Sequence, residues 1–206
     1  MLTKGVNIIS NSIYINAPDW LSIPDNRSYI ILNKDTPRQD VDLFIFGLFV
    51  YNEIPLTDNS KESLRHLQNR FIPDEIALSG GVMFYDGDVK ILPGCCAGVE
   101  QWREVVEDIS NKKEIWLGHD PYPTIEYKDN SIIVWSDDYS GVYSSMPKSK
   151  LQSIAFTNDE LNDLFAQLKA DIKEFIAMPL DKRLKEIDYC ISESLTSCVM
   201  EWLNIN

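Results

Sequence analysis

The hydrophobic period changes once along this chain, near Thr157, and that change constrains the fold more than any other feature. Ahead of it lie short apolar and aromatic runs separated by turn residues. After it, Leu161, Leu164, Phe165, Leu168, Ile172, Phe175 and Ile176 recur at the spacing of one helical face. Thr157, with Glu160 three residues later, forms a capping box at the start of that helix. Pro179 interrupts the stripe, and a proline at a first helical position can open the next helix. Leu180, Leu184, Ile187, Ile191, Val199, Trp202 and Leu203 carry it on towards the end, with a break expected around Ser192 to Ser197. A sheet-rich part over 1–150 and a C-terminal helical part over 151–206 make one α+β domain. It is read as a mostly antiparallel sheet with a central helix and a C-terminal helical pair.

Within the first part, Val6 to Ile15 reads as a strand or a hairpin turning at Ser10-Asn11-Ser12, with Ile9, Ile13 and Ile15 as its apolar positions. Ala17 to Trp20 is a turn, Ser28 to Leu32 a short strand, and Asp35 to Asp40, holding Pro37, a loop. Val41 to Ile54 carries Phe44, Phe46, Phe49 and Tyr51. This β-branched and aromatic enrichment favours a central strand bulged at Gly47, although periodicity alone leaves a buried helix open. Ser60 to Phe71 returns to helical spacing before Pro73 stops it. Ile76 to Leu78 reads as a strand and Gly80-Gly81 as a bulge. Asp86-Gly87 then sits between apolar runs, a strong hairpin signal. A second hairpin pairs Thr124–Tyr127 with Ser131–Trp135 around Asp129-Asn130. Ser136 to Ser149 reads as a loop or an irregular edge strand, and its length makes it either a binding loop or a mobile segment.

Between the two hairpins lies ILPGCCAGVEQWREVVEDISNKKEIWLGHDP, residues 91–121. Pro93-Gly94 breaks the preceding strand. A helix is expected to start near Cys95 to Gly98, with Val99, Trp102, Val106 and Ile109 on one face and the acidic residues largely on the other. Ile115 to Leu117 reads as a strand, and Gly118 to Pro121 as the turn that closes it. A cysteine at a helix N-terminus has a stabilised thiolate, and His119-Asp120 could supply a base and its orienter. Cys95, Cys96, His119 and Asp120 are therefore the candidate catalytic residues. The competing explanation is a packed thiol, because free cysteine is among the most buried residue types. A metal is not expected: adjacent cysteines are poor chelators of one zinc, and paired zinc-ligand spacings are absent. No phosphate-cradling glycine loop, nucleophile elbow, zinc-protease motif or dinucleotide fingerprint is present, so no cofactor is expected.

Charge narrows the partners. Nineteen basic against 32 acidic residues give a net −13, which excludes a phosphate-backbone partner that needs clustered Lys and Arg. It suits a basic protein partner reached by electrostatic steering. Tyr122, Trp135, Asp137, Asp138, Tyr139 and Tyr143 gather in and around one loop and are the candidate binding residues, since Tyr and Trp dominate interface energetics. No apolar run approaches the ~20 residues that cross a bilayer, and the N-terminus has no signal-peptide pattern. A cytoplasmic protein with reduced Cys95, Cys96, Cys190 and Cys198 is expected.

LPGCCAGVEQW, with GGVMFYDG before it and WLGHDP and VWSDD after it, resembles a succession found in a group of uncharacterised bacterial proteins. The likeness covers roughly residues 78–138 and implies no activity. In general character the chain is also similar to immunity proteins of the SUKH group, small acidic bacterial α+β proteins. The net charge, the aromatic-acidic loop and the absence of a strong catalytic motif point to a non-enzymatic protein-binding role, neutralising or sequestering a basic partner, with a small enzyme using a Cys95/Cys96–His119 nucleophile-base pair as the alternative.

Overall fold

The computed structural model describes residues 4–12, 16–24 and 27–205. The expectations for Ile13 and Ile15 lie outside them. In chain order the strands are β1 (Lys4–Asn11), β2 (Tyr29–Ile31), β3 (Gly80–Asp86), β4 (Val89–Ile91), β5 (Thr124–Tyr127), β6 (Ser131–Trp135) and β7 (Ser153–Thr157). The helices are α1 (Arg38–Tyr51), α2 (Ser60–Arg70), α3 (Trp102–Ser110), α4 (Asn158–Phe175), α5 (Asp181–Ile187) and α6 (Tyr189–Trp202). The class is α+β with a C-terminal helical pair. The chain divides into two compact units, one of residues 1–9 and 79–168, the other of 10–78 and 169–206.

The first unit holds both hairpins. β3 and β4 pair antiparallel, with Asp86 opposite Val89 and Gly87 in the left-handed region at φ 57°. β1 lies on the other side of β3. The second sheet runs β5-β6-β7, antiparallel throughout. In β6, Ile132 and Val134 turn inward; in β7, Ile154 and Phe156 do. Phe156 meets Phe84 of β3 with ring centroids 6.0 Å apart. β7 has no forecast in the sequence, because only two large apolar residues alternate there with Ser, Ala and Thr. The capping box forms as expected: Glu160 N donates to Thr157 Oγ1 and Thr157 N to Glu160 Oε2.

Three expectations are corrected. Residues 76–78 add no strand: β3 starts at Gly80. Ile115 to Leu117 is not a strand either, and only His119 pairs, in an isolated antiparallel bridge with Cys95. The central helix starts with a 3-10 turn at Val99–Gln101, so the two cysteines precede it rather than cap it. Trp102, Val105 and Ile109 form its buried face, with Val105 in the place assigned to Val106.

The second unit is organised by α1, and here the residues read as a bulged strand are helical. Every residue from Asp40 to Phe49 is buried. A helix apolar all round belongs in a core. A run of 14 residues also exceeds an ordinary strand, and that length decides where period cannot. Pro37 caps it, its carbonyl accepting from the amides of Asp40 and Val41. Phe44 packs edge-on against Phe175 at 5.0 Å and tilts on Trp202 at 6.4 Å. Trp202 satisfies its indole N–H on the Ile76 carbonyl at 2.8 Å. One ion pair is sealed inside: Arg183 donates from Nε to Asp42, which is fully buried, and from Nη2 to the Trp20 carbonyl at 2.7 Å. Ser22 N fills the second Asp42 oxygen at 3.0 Å.

Pro179 falls inside a π-helical segment, Ile176–Leu180, which runs straight into α5. The break between the last helices is at Asp188, not Ser192 to Ser197, and the Asp188 side chain caps α6 by accepting from Cys190 N. Among the described residues no helix is long and apolar enough to cross a membrane.

Candidate functional site

Two constellations in the first unit carry the site residues. In the first, the backbone of 94–95 lies against that of 117–119. Gly94 N donates to Leu117 O at 2.8 Å, and His119 N to Cys95 O at 3.0 Å. Two glycines permit this approach. A Cβ on Gly94 would stand 2.2 Å from Pro121 O, and one on Gly118, whose φ is 95°, would stand 2.6 Å from the Gly94 carbonyl. Neither space exists, so both positions require glycine.

The bridge places Cys95 beside His119 and brings all four candidate catalytic residues together. Cys96 has φ 66°, in the left-handed region. Neighbouring side chains on extended backbone point apart; the turn at Cys96 instead leaves the two sulfurs 3.4 Å from one another. Cys95 Sγ, Cys96 Sγ and a ring nitrogen of His119 all lie within 4.8 Å of one another. His119 Nδ1 is 3.2 Å from Asp120 Oδ2. Cys95, Cys96, His119 and Asp120 are exposed, so the packed-thiol explanation does not apply to either cysteine. The helix-dipole argument for an activated thiolate also fails, because the helix starts downstream. The Cys96 thiol is pushed up instead, first by its hydrogen bond with Cys95, then by burial and by the charges of Cys95 and Asp120.

The second constellation is the loop between β6 and β7, closed at its base where Ser136 N meets Gln152 O at 2.9 Å and Gln152 N meets Ser136 Oγ at 3.0 Å. Both acidic residues turn into it. Asp137 accepts from the amides of Tyr122 and Asp138 at 3.0 and 2.8 Å and from Ser144 Oγ at 2.9 Å. Asp138, 1% exposed, accepts from Ser140 N, Ser140 Oγ and Tyr143 N. Burial alone would raise the Asp138 carboxyl. The Ser140 hydroxyl and the amides of Tyr143, Ser140 and Val142 outweigh it and bring the group down to about 2. Asp137 is lowered by the same kind of balance, with burial again opposed by amides and a hydroxyl.

The aromatic residues pair off. Tyr122 stacks on Tyr143 at 4.6 Å and Trp135 on Tyr139 at 5.9 Å, with Lys148 Nζ over both rings of the second pair. What the loop presents outward is Val142, Tyr143 and Met146, exposed by 72%, 63% and 48%. Of these only Tyr143 has a residue type and setting that single it out in the sequence. Val142 and Met146 carry no motif, and their exposure follows from how the carboxylates fold the loop.

A cleft of about 920 Å³ in the second unit is bordered by Lys34, Arg38, Lys182 and Lys185 together with Asp181 and Glu186. Several of its cations are already matched, Arg38 by Glu186 and Lys185 by Asp181.

No protein-family model matches the chain, and no curated protein or solved structure shows significant similarity to it.

Proposed function

We propose that the chain is a non-enzymatic, cytoplasmic protein-binding domain that sequesters a basic partner, in the manner of immunity proteins, through the 136–152 loop. The observation that carries this reading is the loop's internal wiring. Two carboxylates spend their acceptor capacity on amides and hydroxyls of the loop and on the Tyr122 amide, and three large side chains are left facing solvent. A loop ordered before binding loses less conformational entropy on association, and an exposed Tyr beside a Met is the residue chemistry of an interface anchor. The net −13 supplies long-range attraction for a basic partner.

The alternative, a Cys95/Cys96–His119 nucleophile-base pair, has the juxtaposition, but both cysteines lie ahead of the helix N-terminus expected to activate them. The Cys96 thiol is also pushed upward, first by its hydrogen bond with Cys95, which is the opposite direction from the one covalent catalysis needs.

Capture from native lysate tests the reading, with the wild-type chain as bait beside a Tyr143→Ala/Met146→Ser double variant. The wild type should retain a basic protein at low salt and release it as salt rises. Loss of an anchor worth about 2 kcal/mol should lower the double variant's affinity by roughly 30-fold. Equal retention by both baits, or a retained protein that is acidic and indifferent to salt, would overturn it.

A further inference from the structure

We propose that Cys95, Cys96 and His119 form a zinc site with one open coordination position, and that Asp120 is its positioning residue. The inference is independent of the partner-binding loop, and it reverses the sequence-based expectation that neighbouring cysteines chelate poorly. That expectation assumes extended backbone. With Cys96 at φ 66° the sulfurs converge to 3.4 Å. Two thiolates on one tetrahedral zinc, at about 2.3 Å each, stand about 3.8 Å apart. The cradle therefore needs only a few tenths of an ångström of opening.

The third ligand comes from across the bridge, a His119 ring nitrogen within 4.8 Å of both sulfurs. Asp120 on Nδ1 supplies the carboxylate–histidine contact that commonly accompanies zinc, and it leaves Nε2 as the ligating nitrogen. Gly94 and Gly118 hold the two backbone segments at a separation that any side chain would prevent, so the ligands are arranged in advance. Two thiolates and one imidazole with a position left for water is a donor set that zinc accepts. On loading, two S–H bonds are exchanged for two S–Zn bonds, both protons leave to solvent, and the site becomes neutral. No redox partner is required.

The test uses the full chain, reduced with a phosphine and freed of metal. Isothermal titration with Zn²⁺ should give one equivalent bound per chain, and Cd²⁺ should produce a sulfur-to-metal charge-transfer band. Cys95→Ser and Cys96→Ser should each abolish that band, while Cys190→Ser and Cys198→Ser leave it unchanged. Asp120→Asn should weaken zinc by about 10- to 100-fold with the band intact. A second measurement needs no variant: zinc should shield Cys95 and Cys96, and not Cys190 or Cys198, from alkylation mapped by mass spectrometry. Zinc uptake that survives loss of both Cys95 and Cys96, or protection that falls on other cysteines, would overturn the assignment. So would the absence of one bound equivalent.

Discussion

Asp138 is the residue whose chemistry most directly shapes the proposed surface. Its carboxyl lies at about 2, below the ordinary 3.8, so the folded loop favours the charged form. The contribution to stability is complete above about pH 4 and is lost as pH falls towards 2. A shift of that size corresponds to about 2 kcal/mol. Asp138→Asn should cost about that much in urea unfolding at pH 7, and the gap between variant and wild type should narrow steadily below pH 4 and close as pH falls through 2. Asp42 is a second residue with a large individual role, for a different reason. It is fully buried with the Arg183 guanidinium, and removing one member of such a pair strands the other charge in the interior. Asp42→Ala should destabilise by about 3–5 kcal/mol, read from the same unfolding curves. An Asp42→Ala loss below 1 kcal/mol would mean that water reaches Arg183.

At the scale of elements, the bridge between 94–95 and 117–119 is not held by packing of large side chains. It depends on the absence of two of them. Gly118→Ala would place a methyl into the Gly94 carbonyl and would also put a non-glycine residue at φ 95°. The strain alone is about 1–2 kcal/mol, and the clash adds to it. The two segments should separate, which is readable as loss of the His119 amide's protection against hydrogen exchange; retained protection would contradict this reading. The same elements show what a sequence conveys. Hairpins, the capping box and the amphipathic α4 were legible, because each is specified by residues near in sequence. α1 was not. Its Phe, Ile and Val residues suit a strand locally, and burial on all sides erased the periodic signal that distinguishes a helix. The helix starts at the far end of the expected Cys95-to-Gly98 range, so the cysteines lie ahead of it instead of at its N-terminus.

For the whole molecule, the total charge was legible and the use made of particular charges was not. Asp137 and Asp138 look like part of an acidic face in the sequence, yet they are internal acceptors that fix the loop, and the attraction for a basic partner has to come from the remaining carboxylates. Likewise, four scattered aromatic residues could be grouped by position, while their pairing into two stacks required coordinates. The meeting of Cys95 with His119, 24 positions apart, likewise depends on backbone geometry. Everything proposed for binding rests on a loop that is ordered before any partner arrives. Hydrogen exchange over the free chain at neutral pH measures this directly. The amides of Asp138, Ser140 and Tyr143, donated to carboxylates within the loop, should exchange far more slowly than those of the exposed Asp129-Asn130 turn. Exchange at the same rate in both places would show that the loop is not prefolded.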